Sequence, residues 1–171
     1  NNRVTKETRP LGEETTYAYD EAGNLANKTD AQDQLTQYEY DPAGRMTGVK
    51  YFNAVDHATP LKEVAFTYDP AGDLTGYNDP TSSATYTYDA QGRKVGESVV
   101  IASGSEAISL SYGYDYFANG KKKSMTYPDG KTYNFTYDNN GQLSSYQIPG
   151  QGLISYTYTQ NRPTTITYPG G

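Results

Sequence analysis

The stretch Tyr38-Glu39-Tyr40-Asp41-Pro42-Ala43-Gly44-Arg45-Met46 decides how this chain is read, because its pattern, Tyr-x-Tyr-Asp-x-x-Gly-x-Leu, keeps returning. Copies start at Tyr17, Tyr38, Phe66, Tyr86 and Phe135, with eroded ones at Tyr112 and Tyr156. Self-similarity at a near-constant period marks a repeat array, in which each unit buries its apolar face only by stacking on its neighbours. The Asp and Gly of each copy fall at Asp20 and Gly23, Asp41 and Gly44, Asp69 and Gly72, Asp89 and Gly92, Asp115 and Gly120, and Asp138 and Gly141, with Thr159 in the seventh Asp place. The steps between them are 21, 28, 20, 26, 23 and 21 residues, so the basic unit is 21 and the extra residues behave as lengthened turns.

Residues two apart share one face of a pleated strand. The doublets Tyr17 and Tyr19, Tyr38 and Tyr40, Phe66 and Tyr68, Tyr86 and Tyr88, Tyr112 and Tyr114, Phe135 and Tyr137, and Tyr156 and Tyr158 therefore line an aromatic face. The residues between them, such as Glu39, Thr67 and Thr136, are small or polar, so the other face is wet. In Asp41-Pro42-Ala43-Gly44 and Asp69-Pro70-Ala71-Gly72, Asp, Pro and Gly occupy the first, second and fourth positions of a type I turn. Gly then supplies the positive φ of the bulge that closes a three-residue hairpin loop, expected at Gly44, Gly72 and Gly141. Leu25, Met46, Leu74 and Leu143 begin the returning strand, and a further apolar residue three positions on (Val49, Tyr77, Met125, Tyr146) suggests a bulge within it.

Each unit is thus two strands and two turns, the second turn being visible as Tyr127-Pro128-Asp129-Gly130, Pro149-Gly150-Gln151-Gly152 and Tyr168-Pro169-Gly170-Gly171. The expected fold is all-β: antiparallel hairpin repeats in a curled or spiralling sheet of roughly 14 strands, on the order of 65 Å across. Residues 1–16 read as an incomplete leading repeat and 17–171 as about seven units starting near 17, 38, 66, 86, 112, 135 and 156. The long second turns at 50–62 and 97–107 are expected to protrude, the latter around Ser103-Gly104-Ser105. Leu, Ile, Val and Phe make up only 24 of 171 residues, but 19 tyrosines replace the missing aliphatics. A buried Tyr needs a partner for its hydroxyl, which points to tyrosine ladders reaching backbone groups.

Catalytic chemistry finds little material. An Asp opening a turn accepts local backbone N–H bonds, which explains the recurring carboxylates better than paired acid–base work does. His57, the sole histidine, sits in the long turn Asp56-His57-Ala58-Thr59-Pro60, so neither a His-based triad nor a zinc site is expected, and without cysteines there is no disulfide or thiolate site. Calcium is disfavoured because successive Asp turns lie about two strands apart. Lys121-Lys122-Lys123, the only basic run in a chain of net charge −6, reads as a solvated hairpin tip and not a nucleic-acid patch. The sequons at Asn27 and Asn134 follow from the repeat itself. No apolar stretch approaches a membrane span and the polar start is no signal peptide.

With these residues in hand, the units resemble the YD repeats, or RHS repeats, of bacterial Rhs proteins, the shell components of insecticidal toxin complexes, wall-associated proteins and animal teneurins. The resemblance spans Tyr17 to Gly171, and departs at Lys94 in place of Leu, at the long interval Asp115 to Gly120, and at Thr159-Gln160-Asn161. It implies a spiralling sheet that closes into a hollow shell around a C-terminal toxin domain, in an exported or cell-surface bacterial protein. It also implies a downstream core segment, often self-cleaving, that nothing here matches. The chain is then expected to be an excised piece of wall, without catalytic residues, metal or cofactor, partnered by the rest of the shell and its cargo. Its bare edges and aromatic face imply self-association when isolated. The alternative function is a carbohydrate or cell-surface binding module with exposed tyrosines.

Overall fold

A computed structural model describes residues 3–103 and 106–170, and every regular element within them is a β-strand. Gly104 and Ser105 at the expected hairpin tip, Asn1 and Asn2 of the polar start, and Gly171 lie outside the described residues. Fifteen strands follow one another as hydrogen-bonded neighbours in chain order. Internal contacts divide them into one unit of residues 1–85 and 101–106 and another of 86–100 and 107–171.

The first unit holds β1 (Lys6–Thr8), β2 (Glu14–Tyr19), β3 (Leu25–Thr29), β4 (Leu35–Tyr40), β5 (Met46–Tyr51), β6 (Lys62–Tyr68), β7 (Leu74–Asn78) and the start of β8 (Ser82–Tyr88). The second holds the end of β8, most of β9 (Lys94–Ser103) and β10 (Glu106–Tyr116), then β11 (Lys122–Thr126), β12 (Thr132–Tyr137), β13 (Leu143–Ile148), β14 (Gly152–Thr159) and β15 (Arg162–Thr167). Each returning strand begins at the Leu, Met or Lys two residues beyond the turn glycine. The strand beyond the expected 14 is β1, which lies in the leading stretch.

The Asp-x-x-Gly turns close as their chemistry requires. Asp41 N–H donates to the Arg45 carbonyl at 2.9 Å and Gly44 N–H to the Asp41 carbonyl at 2.9 Å, with Gly44 at φ +78°. The same pair of bonds closes the turns that open at Asp20, Asp69, Asp89 and Asp138, and Gly72 and Gly141 sit at φ +101° and +81°. At the seventh copy the lost Asp shortens the loop to two residues, Gln160 and Asn161, both at positive φ as a type I′ turn demands.

The odd three-residue step within the returning strands is a bulge. Tyr38 pairs with Val49 and Glu39 with Gly48, then the register slips so that Tyr40 faces Met46 and Thr47 is left over. Equivalent slips occur between β2 and β3, β6 and β7, β10 and β11, β12 and β13, and β14 and β15. The slip places the first aromatic of the doublet opposite the second apolar residue, as in Phe66 with Tyr77 and Phe135 with Tyr146, whereas in the first copy Tyr17 lies opposite Lys28. A single extra residue thus returns both apolar positions to one face.

The fifth copy departs from its expected frame. Asp115 is not a turn residue; it lies inside β10, paired with Ser124. The turn opens at Phe117, whose N–H donates to the Lys121 carbonyl at 2.8 Å while Gly120 N–H returns to Phe117 O at 2.9 Å. The doublet is therefore Tyr114 and Tyr116, facing Met125 and Lys122, and Tyr112 lies one pleat upstream. Three alternating tyrosines fit either frame, but only counting back three residues from the positive-φ Gly120 closes a hairpin of the standard length.

Nor does the 50–62 turn simply protrude. Phe52 N–H donates to the Leu35 carbonyl at 2.8 Å, its ring is buried at 6 % exposure, and His57 Nε2 lies 2.9 Å from the Asp33 carbonyl. Its aromatic ring and spare backbone donors fold back on the preceding turn, because a Phe beside the sheet gains more by burial than by standing in water. In the 97–107 hairpin the strands do extend, and Ala102 N–H reaches the Thr81 carbonyl at 2.8 Å.

Replacing Gly72 by Val forces a Cβ into the left-handed region and is expected to cost about 1–3 kcal/mol, with Gly72→Asn milder. Urea denaturation measures this, and an unchanged midpoint for Gly72→Val would mean the turn does not depend on positive φ.

Candidate functional site: the tyrosine face and its turn rim

The doublets generate a face on which the second tyrosine has a fixed task. Its hydroxyl donates to the carbonyl of the residue that opens the preceding returning strand: Tyr40 to Leu25 at 3.0 Å, Tyr68 to Met46 at 2.8 Å, Tyr116 to Lys94 at 2.8 Å and Tyr158 to Leu143 at 2.9 Å. Tyr19 makes the corresponding bond to Val4 O at 2.9 Å, and Tyr86 and Tyr88 are likewise engaged by neighbours. Desolvation holds the Tyr38, Tyr40 and Tyr156 hydroxyls above the usual phenol pKa, and a hydrogen bond to Glu7 does the same for Tyr17. They remain neutral donors at physiological pH.

First-position aromatics pack along the sheet. Phe135 lies 6.1 Å from Tyr146 between ring centres, and Tyr146 6.3 Å from Tyr156. Tyr112, displaced from the doublet, joins Tyr127 at 5.8 Å, which in turn meets Tyr133 at 4.9 Å. Yet among the described residues the buried apolar side chains are Val49, Phe52, Ala84 and Ile154 alone, and no large side chain is fully enclosed. The aromatic face is half-covered by its own neighbours and open above them.

The turn rim contains residues that sequence reasoning missed. Arg45, immediately after Gly44, binds Asp41 Oδ2 through Nε at 2.7 Å and reaches with Nη1 to the carbonyl of Asp69 in the next turn at 2.9 Å. Its guanidinium lies 4.9 Å from the ring centre of Tyr68. Arg93 repeats this, with Nε on Asp89 at 2.7 Å, Nη1 on the Phe117 carbonyl at 3.0 Å, and the Tyr116 ring at 4.8 Å. Lys121 occupies the same place after Gly120, its ammonium on the Gly141 carbonyl and 4.9 Å from the Tyr137 ring. A cation after the turn glycine thus clamps one turn to the next. The signal was visible as Gly-Arg, Gly-Arg and Gly-Lys, but three different residue types, Asn24, Asp73 and Gln142, hold the place elsewhere.

The basic run is correspondingly not a solvated tip. Lys121 is a clamp, Lys122 lies half-buried on the aromatic face, and only Lys123, the bulge residue, is exposed. On the wet face, Lys50 bridges Glu39 at 2.5 Å and Glu63 at 3.5 Å, and hydroxyls pair across strands, as Thr136 does with Ser145 at 2.7 Å.

Turn carboxylates are locally satisfied. Asp41 is held below the ordinary carboxylate range by the Arg45 amide and then by its side chain and the Ala43 amide. At Asp89 desolvation pulls upward, but the Arg93 amide, the Arg93 guanidinium and the Gln91 amide outweigh it. Among the described residues no three His, Asp or Glu side chains gather as a metal site would need, and no helix is long and apolar enough to cross a membrane. The arrangement therefore offers binding surface: aromatic rings, neutral hydroxyls and backbone-anchored cations.

Residues 49–171 match the family described as Teneurin YD-shell. The chain belongs to that YD-shell family. Residues 1–32 and 19–55 match the RHS repeat. A curated relative, the tRNA3(Ser)-specific nuclease WapA of Bacillus spizizenii, is 31 % identical over 121 residues, which is 70 % of this chain and 5 % of that protein. The crystal structure of TcdB2-TccC3 superposes with a TM-score of 0.71 at 20 % identity over 92 % of this chain and 9 % of that one. That of TcdB2-TccC3-Cdc42 gives 0.70 at 20 % identity over 90 % and 9 %. The YD-shell chain thus spans less than a tenth of each of these proteins, and the structural likeness shows a shared fold.

Truncating Arg45 to Ala removes the clamp and the ring contact together and is expected to cost about 1–2 kcal/mol, with Arg45→Lys recovering part of it. Chemical denaturation of both variants checks this. The lowered Asp pKa values also set the acid response. A carboxyl whose folded pKa is depressed stabilises above its unfolded pKa of about 3.9 and loses that stability as pH falls through the folded value. Thermal midpoints are expected to be flat from neutral pH to about 5 and to fall below about 4, less steeply in an Asp41→Asn variant.

Proposed function

We propose that this YD-shell chain is wall: a non-catalytic structural segment of an RHS/YD-repeat β-shell that encloses a C-terminal toxin or other cargo of an exported bacterial protein. The observation that carries this reading is the open tyrosine face. The units spend their largest side chains on one side of the sheet, Tyr40, Tyr68, Tyr116 and Tyr158 anchor their hydroxyls to the unit before them, and none of these side chains is fully covered among the described residues. Such a surface suits an interior that faces contents and is kept from bulk water by closure of the whole shell. The nuclease activity in the name of WapA belongs to a protein of which this chain matches one-twentieth. In this reading any toxic activity resides outside the repeats, and the repeats hold it.

One feature favours the carbohydrate alternative. A cleft of about 370 Å³ between two neighbouring turns is lined by Phe117 and Tyr137 with Asn119, Asn139 and Asn140 beside them. Aromatic rings flanked by amides are what a sugar reader uses.

These 171 residues contain no cysteine, so a cysteine introduced among them is their only thiol, and labelling is read at that site. In the intact parent protein, a bulky maleimide is expected to modify Thr67→Cys on the wet face rapidly and Phe66→Cys on the aromatic face only after denaturant opens the shell. Equal labelling of the two would remove the enclosing-wall reading. Saturable binding of a soluble oligosaccharide by the native chain, abolished in Tyr137→Ala, would favour the alternative.

A further inference from the structure

Units of the array open their returning strand with an apolar residue on the aromatic face, as at Leu25, Met46 and Leu143, each opposite a second-position tyrosine. Two strands of the second unit break this rule with lysine: Lys94 opens β9 and Lys122 opens β11, opposite Tyr116. Their ammonium groups converge on one ring, at 5.4 Å and 4.8 Å from the centre of Tyr114. Lys94 is matched by Glu97 at 2.5 Å, a carboxylate that also accepts the Tyr114 hydroxyl at 3.3 Å. Lys122 is half-buried, and among the described residues it has the Tyr114 ring but no carboxylate within ion-pair distance. A cation drawn onto an aromatic surface without a counter-ion gives up hydration that one ring only partly replaces.

We propose that this place on the tyrosine face docks an acidic polypeptide segment, one carboxylate of which pairs with Lys122 while its apolar neighbours rest on the Tyr112, Tyr127 and Tyr133 cluster. The proposal rests on the wall reading insofar as it names what the aromatic face is turned toward. Charge complementarity selects the occupant. One unmatched ammonium set among rings fits a single carboxylate flanked by apolar side chains, whereas a nucleic-acid backbone needs a row of cations. A second copy of this chain offers its turn carboxylates already bound to their own backbone, as at Asp41 and Asp89. Tyr127, 39 % exposed, leaves the neighbouring ring cluster accessible.

The test is fluorescence anisotropy of the 171-residue chain with three labelled peptides of equal length, alternating Leu with Glu, with Lys or with Ser. The Glu-Leu peptide is expected to bind about tenfold tighter than the other two, the difference that one partly shielded charge-assisted bond supports. Lys122→Gln is expected to abolish the preference, Lys122→Arg to keep it, and Lys123→Gln, which alters the exposed neighbour, to leave it unchanged; circular dichroism verifies that each variant is folded. Equal binding of all three peptides, or a Glu-Leu preference that survives Lys122→Gln, would overturn acidic docking while leaving an open aromatic wall in place. Failure of all three to bind would overturn the docking proposal too, and the labelling of the parent protein would then decide the wall reading separately.

Discussion

The structure depends on the hydrogen bond from the second tyrosine of a doublet to the strand-opening carbonyl of the unit before it, made by Tyr40, Tyr68, Tyr116 and Tyr158. A chain with so few aliphatic residues has only its aromatics to withdraw from water, and a phenol withdrawn without a partner costs more than it returns. Meeting that need with a carbonyl one unit away makes each ring so bonded a connector. The bond requires the tyrosine and the strand start to share a face, which is what the bulge one residue into the returning strand provides. Ring burial, register and unit-to-unit cohesion are therefore one constraint and not three.

The turn rim restates this constraint in charges. Arg45 and Arg93 hold their own turn Asp with one edge of the guanidinium and the next turn's carbonyl with another, while the plane lies over the ring whose hydroxyl reaches the preceding strand. A planar side chain with donors on several edges suits three simultaneous contacts, and Lys121 manages two. Turns and tyrosines are thus tied in the same direction along the array. Among the described residues of each unit the broad face can stay open because cohesion comes from neighbouring strands and turns.

That openness joins the fold to its proposed role. Membership of the YD-shell family makes the chain a shell segment, the likeness to TcdB2-TccC3 shows the shared fold, and in the proposed reading the half-covered rings are the side that would meet contents. Within that side the lysines at 94 and 122 converge on one ring, replacing grease with charge where a contact could become selective.

Much of this was legible in the residues alone. Alternation of Tyr with small polar residues determined strand and face, because the pleat has a period of two. Asp, Pro and Gly at fixed offsets determined the turns, because only certain residues tolerate their backbone angles. The apolar step of three announced the bulge. What the sequence could not decide was which of two equally patterned frames the fifth copy uses. Tyr112, Tyr114 and Tyr116 alternate perfectly either way, and only pairing with Met125 and Lys122 selects the later doublet and removes Asp115 from the turn. Likewise the cation clamps, the inward fold of Phe52 and the convergence of Lys94 and Lys122 on one ring join residues on different strands or turns, at separations the local pattern does not encode. Period and turn chemistry are properties of neighbours in the chain; contacts between strands exist only once the register between those strands is set, and that the tertiary structure alone decides.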